Sequence, residues 1–454
     1  MNRRQFLQTS AGAGLALCAA MPASAPLVRG ADKAGRKYRT AVVGTGWWGT
    51  NILREAIWSE RCEVAALCDV DQAELQRCLG EVKKICSQTP RLYHPDHREM
   101  LQKEMPEVVI VATPDHWHPL IMIDAVKAGA HVYVEKPISH TVLEGRAMVK
   151  AARGADRVVQ VGTHRRVSPH NVSGRKFIRE GKAGKIGMVR AFVHYGGGKE
   201  EPAPNAEPPK GLDWDRWCGP APLRPFNKKL HTRGWREFLD YANGTLGDWG
   251  VHWMDQIRWV LGVDAPRRVF SAGGRAIRGP AINDGKVQTT DAPDHLVAVF
   301  EFDGPQGQPL TVTWEHRQFA GNGAEKTHPQ QPVGCYFYGT EGTLHVGWLD
   351  GWTFYPMDPK KAPVHQDAQL HEPDQQNIRE LWADFLDAIE NKRRPVSDIE
   401  DIHRSTTMAL LGMLSLKLGR SVNWDGAKEL FVGDEEANKL LRREYRGPWK
   451  YPEL

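Results

Sequence analysis

Residues 40–50 read Thr-Ala-Val-Val-Gly-Thr-Gly-Trp-Trp-Gly-Thr. An apolar run ends here in three glycines, Gly44, Gly46 and Gly49, at the G-x-G-x-x-G spacing of a dinucleotide-binding turn. Gly44 permits the tight turn out of the strand, Gly46 has no Cβ to hold a pyrophosphate off the backbone, and Gly49 lets helix and strand pack closely. The pyrophosphate would rest on the free N–H groups and positive dipole end of a helix beginning near Trp47, which places Trp47 and Trp48 in the binding turn.

Glycine-rich turns are common, so this one needs support, and support comes 20 residues beyond Gly49. Residues 64–69 (VAALCD) read as a second short apolar strand that ends in a carboxylate, Asp69. An acid at that place accepts hydrogen bonds from a ribose 2′-hydroxyl and repels a 2′-phosphate, so the expected cofactor is NAD and not NADP. The competing reading has Asp69 doing no more than capping a helix over 72–79.

Ahead of this unit, residues 1–25 read MNRRQFLQTSAGAGLALCAAMPASA. The Arg3-Arg4 pair, Phe6-Leu7, the mildly apolar run and the Ala-Ser-Ala ending at Ala25 have the form of a twin-arginine export signal. The protein is therefore expected to be exported by that route, to the periplasm, with any cofactor acquired before it crosses. The run is too short and glycine-rich for a membrane span. Cys18 follows the bulky Leu17, which favours cleavage near Ala25 over lipoprotein processing.

A chain of 454 residues can bury a large core and is expected to divide into at least two domains. Its 60 basic and 55 acidic residues are scattered and leave +5, which gives no case for nucleic acid. The 7 cysteines include no C-x-x-C pair and read as buried thiols. Most of the 16 tryptophans must be core, but a minority on loops around a pocket would suit the C–H face of a sugar ring.

From 36 to 162 the apolar runs TAVVG, VAALC, VVIVAT, HVYVEK and VVQVG alternate with helical stretches, the pattern of a doubly wound parallel sheet. Gly44, Asp69, Thr113, Lys136 and Gly162 fall at strand ends, where such a sheet faces its crevice. From 163 to 430 the character changes to an α+β domain. It has a helix over 171–181, a strand MVRAFVHY, and an irregular Pro-, Gly- and Trp-rich stretch over 196–233. The runs HLVAVFEF, LTVTWEHR, GCYFYG and TLHVGW follow, then helices over 375–391 and 401–418. Residues 431–454 read as a C-terminal tail.

Two motifs carry the chemistry: Glu135-Lys136-Pro137 after HVYV, and GTLGDWGVHWMD, where Asp248 and His252 are four apart. On a helix that spacing puts both side chains on one face. A carboxylate beside an imidazole orients it and makes it more basic, which suits a general base for an alcohol proton. A lysine can polarise the hydroxyl and steady the alkoxide.

On these residues the chain resembles the Gfo/Idh/MocA family over nearly its whole length beyond the signal. The resemblance implies a Rossmann domain joined to an open, mainly antiparallel sheet used for homo-oligomerisation. It implies a catalytic group of Lys136, Asp248 and His252, with Gly250 in register. It also carries Thr113, Pro114 and His118 of the segment ATPDHWHP over as cofactor contacts, alongside Glu135 and Lys136. Asp115, His116 and His118 invite a metal reading, but no further ligand cluster has suitable spacing and no metal is expected. His164, Arg165, Arg236 and Tyr241 either bind substrate or bridge the domains. The function expected is NAD-dependent oxidation of a sugar or cyclitol hydroxyl. The alternative is a redox-neutral glycoside hydrolase like the NAD-dependent α-N-acetylgalactosaminidases, and a sugar-binding protein without catalysis comes third.

Overall fold

The computed structural model describes residues 35–321, 332–370 and 372–453, so the expected signal segment lies outside the described residues. The first domain is a parallel six-stranded sheet made of β1 (Tyr38–Val43), β2 (Cys62–Cys68), β3 (Arg91–Tyr93), β4 (Val108–Val111), β5 (His131–Val134) and β6 (Val159–Val161). Its order is β3-β2-β1-β4-β5-β6, and every neighbouring pair is parallel. Helices α1 (Trp47–Trp58), α2 (Gln72–Ile85), α3 (His97–Glu104), α4 (His118–Lys127) and α5 (Val142–Gly154) cross between them. Strand β4 is buried along its whole length, as a strand covered on both faces must be, and this is why Val-Val-Ile-Val shows no alternation. The strand order reverses between β1 and β4, which opens a crevice at their C-terminal ends.

The second domain contributes α6 (Pro169–Arg179), β7 (Ile186–His194), β8 (Ala203–Pro204), α7 (Trp214–Cys218), α8 (Val251–Leu261), β9 (Arg268–Gly274) and β10 (Val287–Gln288). It continues with β11 (His295–Asp303), β12 (Pro309–Arg317), β13 (Val333–Gly339), β14 (Gly342–Gly347), β15 (Trp352–Pro356) and β16 (Val364–Gln366). The chain closes with α9 (Pro373–Glu390), α10 (Ile399–Leu418), β17 (Val422–Asp425), β18 (Leu430–Phe431) and α11 (Glu435–Lys439). Ten of these strands form one mixed sheet, β16-β15-β14-β13-β7-β12-β11-β9-β17-β18, in which β7 and β12 are the parallel pair. Along β11, Leu296, Ala298, Phe300 and Phe302 are buried while the residues between them are more open. That period of two turns one face onto a core with α8 and α10, including Trp253, Ile257, Met408 and Leu411. On the other face Phe270, Val297 and Met188 stay exposed.

Two expectations about domain limits change. Helix α9 buries Ile378, Leu381, Trp382 and Phe385 with Val42, Ile52 and Tyr133, so residues far along the chain complete the first domain. A parallel sheet needs cover on both faces, and α9 supplies it on one. The stretch read as a tail is packed: Phe431, Ala437 and Leu441 join the second core, and Tyr445 and Trp449 pack on the first. Arg443 Nε and the Tyr445 hydroxyl both donate to Glu144 Oε1, at 2.9 and 2.8 Å.

Burial holds many histidines neutral. His116, His140 and His252 are pushed well below the ordinary imidazole value, and His118 and His316 down to about 4. A group with a depressed folded pKa adds stability above its unfolded value, about 6.5, and loses it as pH falls through that value. Asp69, Asp115 and Glu135, raised by burial, act in the opposite sense but are fewer. The melting temperature is therefore expected to fall between about pH 7.5 and about pH 5.5. A thermal melt series checks this, and an unchanged or higher value at the acid end contradicts it.

Candidate active site

Gly44 leaves β1 at φ +89°, and a Cβ there would lie 2.7 Å from the backbone of Ala112 and Thr113. A Cβ on Gly49 would lie 2.0 Å from Gly44 O, so this glycine sets how closely α1 approaches β1. A Cβ on Gly46 meets no protein atom, and the residue lines the crevice, so its backbone is open to a ligand. Helix α1 starts there with no side-chain cap, which leaves its first N–H groups for an anion. Asp69 Oδ2 accepts from Thr45 N at 2.6 Å, and Oδ1 from Asp71 N at 2.9 Å. The cap of α2 is Asp71, whose side chain accepts from Ala73 N, so Asp69 is not a helix cap.

Thr113, Pro114, His118 and Glu135 line the same cavity. Thr113 Oγ1 and Glu135 Oε1 are buried without a partner in the protein, so both suit a polar group bound in the crevice. Burial pushes Glu135 up to about 7. The His118 ring nitrogens lie 2.8 Å from Thr113 O and from Pro137 O, so His118 braces the two strand-end loops. These donors fit NAD: glycines and helix N-terminus under the pyrophosphate, Asp69 at the ribose, and Thr113 with Glu135 beyond.

Lys136 and Asp248 come together from opposite domains. Lys136 Nζ donates to Asp248 Oδ1 at 2.7 Å and to Asp248 O at 3.0 Å. Arg236 Nε stands 3.4 Å from the same carboxylate oxygen. Burial alone would raise the Asp248 carboxyl, but the charges of Lys136 and Arg236 outweigh it and hold it at about 2. The expected Asp248–His252 pairing is not made. Residues Leu246–Gly250 form a π-helical turn ahead of α8, which breaks the regular i,i+4 alignment and turns Asp248 to Lys136. His252 Nδ1 is buried without a partner, and the ring packs edge-on against Trp348, centroids 5.0 Å apart.

The four residues left between substrate and bridging roles separate. His164 and Arg236 line the cavity. Arg165 lies behind the wall: it donates to Trp348 O at 3.0 Å and to Asp374 Oδ1 at 2.6 Å, with its guanidinium 3.6 Å from the centre of the Trp348 ring. It fixes two residues that do line the cavity, Trp348 and Asp374. Tyr241 is fully buried in a separate cluster and donates to Pro222 O at 2.9 Å, so its place is structural. Sequence reasoning missed Trp249, Trp348 and Asp374. The only signal for the two tryptophans was their count; Trp348 and Asp374 are held by Arg165 from 183 and 209 residues away, and Asp374 had no signal at all.

The irregular stretch becomes a strap over the crevice. Asp213 N donates to Val70 O at 2.9 Å, and Gln72 N to Gly211 O at 3.0 Å. Trp117 Nε1 donates to Arg216 O at 2.9 Å. Trp217, His231, Arg233 and Trp235 of the strap face Gly46 and Asp69 across a cavity of about 540 Å³. Arg233 sits 4.7 Å from the centre of the Trp47 ring. Arg446 pins the strap, its Nε donating to Gly219 O at 3.2 Å, while Trp449 packs edge-on to Trp117 of the first domain. Among the described residues no group of three or more His, Cys, Asp or Glu is placed to hold a metal ion.

A glycine turn at the switch point of a parallel sheet, with an acid at the next strand end, makes the first domain an NAD-binding domain. The chain belongs to the Gfo/Idh/MocA oxidoreductase family. The family model for the NAD-binding Rossmann fold matches residues 38–163, and that for the C-terminal α/β domain matches 183–271 and 360–451. A glycosyl hydrolase family 109 protein of Stenotrophomonas maltophilia is 33% identical over 140 residues, 30% of this chain and 29% of the relative. A levoglucosan dehydrogenase of Pseudarthrobacter phenanthrenivorans is 28% identical over 218 residues, 46% and 49% of the two chains. The chain thus spans less than half the length of these curated relatives. Among solved structures, levoglucosan dehydrogenase in complex with NADH and levoglucosan shares the fold at TM-score 0.63 and 18% identity, covering 86% of this chain and 99% of that one.

Asp69 gives the cofactor site its sign. A 2′-phosphate beside its carboxylate would meet like-charge repulsion in a partly desolvated crevice, so NAD is expected to bind at least about tenfold tighter than NADP. Asp69→Ala is expected to narrow that gap. Titration of both dinucleotides into both proteins measures it, and tighter NADP binding by the wild type contradicts it.

Proposed function

We propose that the protein oxidises a secondary hydroxyl of a sugar, glycoside or cyclitol. The observation that carries this reading is the buried Lys136–Asp248 pair beside a neutral His252 in the cavity of the NAD-binding crevice. Bound NAD supplies the hydride acceptor. An ammonium has three N–H bonds, and Asp248 takes two of those on Lys136, so one remains for the substrate oxygen. That remaining bond steadies the alkoxide as the proton leaves. His252 takes the proton. Burial and the nearby charge of Lys136 keep its ring unprotonated through neutral pH, so it is always in the accepting form. Trp249 and Trp348 offer apolar ring faces beside it, which suits a pyranose or cyclitol.

A second reading has the same oxidation followed by return of the hydride, with net hydrolysis of a glycoside. The strap favours it: a dinucleotide enclosed beneath 205–236 and pinned by the C-terminal residues is suited to being kept between turnovers. A retained cofactor also suits the export expected from Arg3-Arg4, which remains part of this proposal, because it needs no outside supply of NAD. Oligomerisation belongs here as well. The exposed Phe270, Val297 and Met188 on the open face of the large sheet are suited to packing against a second copy.

Purified protein, desalted and then denatured, is expected to release NAD. A panel of glycosides and cyclitols is expected to yield either a ketone with NADH or free aglycone without net NADH, which separates the two readings. Lys136→Ala and His252→Ala are each expected to lower turnover about a hundredfold or more with the fold kept. Asp248→Asn, which removes the charge that matches Lys136, is expected to resemble Lys136→Ala. Near-normal turnover in either alanine variant removes the mechanism.

A further inference from the structure

Asp115 opens the short 3-10 turn Asp115–Trp117 that follows β4. It is only 2% exposed, and what exposure it has is to the cavity. Of the other carboxylates bordering that cavity, Glu135 keeps Oε1 unpaired but accepts from Lys136 N at Oε2, and the rest are matched. Asp69 accepts from Thr45 and Asp71, Asp71 from Ala73, Asp248 from Lys136, and Asp374 from Arg165. Among the described residues the Asp115 carboxyl takes no hydrogen bond and no ion pair. A ligand that fills this part of the cavity would leave the carboxyl unpaired, at a cost of about 1–3 kcal/mol, unless it offers a hydrogen-bond partner.

Its surroundings say which ligand. The charged groups that act on it most are Asp248 and Arg236, from the second domain, then Lys136 and Glu135. Its charged neighbours thus include the Lys136–Asp248 pair and Arg236, all of which line the same cavity, so it stands near the reacting groups. Burial, with the negative Asp248 close by, holds the carboxyl well above the ordinary range despite Arg236 and Lys136. A neutral carboxyl has one O–H donor and a carbonyl acceptor side by side. That pair matches two adjacent hydroxyls, each of which can give and take one hydrogen bond.

We propose that Asp115 is a substrate-binding residue, whose carboxyl donates one hydrogen bond to, and accepts one from, adjacent hydroxyls of a sugar or cyclitol held beside Lys136 and His252. This rests on the proposed function and deepens it. The site selects substrates with a vicinal hydroxyl next to the carbon being oxidised, and discriminates against the corresponding deoxy compounds. Such discrimination is strong where a buried polar partner would be left unpaired.

The test compares wild type, Asp115→Asn and Asp115→Ala, all loaded with NAD. Asparagine keeps a donor and an acceptor in the same shape, so Asp115→Asn is expected to hold KM within about threefold. Asp115→Ala is expected to raise KM about 10- to 100-fold with kcat little changed. A substrate lacking the hydroxyl next to the reacting carbon is expected to lose a like factor with wild type and almost nothing with Asp115→Ala. Loss in Asp115→Asn as severe as in Asp115→Ala overturns the proposal, because it marks an ionised carboxylate. Weaker NAD binding by Asp115→Ala in calorimetry, with sugar KM unchanged, also overturns it and assigns the residue to the cofactor. Infrared difference spectra between wild type and Asp115→Asn, taken without substrate, are expected to show a protonated carboxyl band at neutral pH that the variant lacks. This arm reads Asp115 even where no compound of the panel is turned over, which would count against the proposed function alone. Absence of the band overturns the proposal.

Discussion

The buried ion pair between Lys136 and Asp248 is the contact on which the arrangement of the cavity depends. Lys136 leaves the end of a strand in the first domain, and Asp248 stands on a π-helical turn in the second. At 2.7 Å, with both side chains mostly buried, the pair ties the turn ahead of the helix that carries His252 to the end of β5. A pair like this adds little net stability, since taking both charges out of water costs about as much as their attraction returns. Removing one member is another matter, because it leaves the other charge buried and unmatched. The pair thus locks a geometry more than it strengthens a fold.

Around that pair the cavity sorts its groups by charge. Asp248 is kept ionised by two cations, whereas His252, Asp115 and Glu135 are driven toward neutrality by burial. Neutral groups that border a charged one can exchange protons or hydrogen bonds with a sugar without paying to desolvate a second charge. The strap adds to this by excluding water, which strengthens each remaining electrostatic contact. Acid and base roles in this site follow from burial and neighbours more than from residue type.

What could be read from the sequence was what is local. Gly44, Gly46, Gly49 and Asp69 lie in strand–turn–helix patterns whose geometry is set within a few residues, and Glu135-Lys136-Pro137 marks a strand end in the same way. The Asp248–His252 spacing was read with regular helical geometry, and one extra residue in the turn was enough to redirect Asp248 across the cavity. Tyr241 was placed by its nearness in sequence to Asp248, but its ring belongs to a cluster with Trp217 and Cys218. Asp115 stood inside a stretch already singled out, yet the distinction that matters, a carboxyl with no partner, exists only once the second domain is folded against it. Trp348 and Asp374 are brought in by Arg165 from 183 and 209 residues away, beyond the reach of any local pattern.

Arg443, Tyr445 and Trp449 lock onto the first domain, and Arg446 holds the strap. The strap itself is stiffened by the stacked rings of Trp214 and Trp217, centroids 4.6 Å apart. Nothing in its composition would order a stretch so rich in proline and glycine, so its order comes from these rings and from the C-terminal residues that clamp it. The crevice is therefore complete only when residues 443–449 have been made and folded into place. A dinucleotide that binds to the first domain early would be enclosed by a segment that arrives later. A cofactor site closed in that order is suited to keeping its dinucleotide.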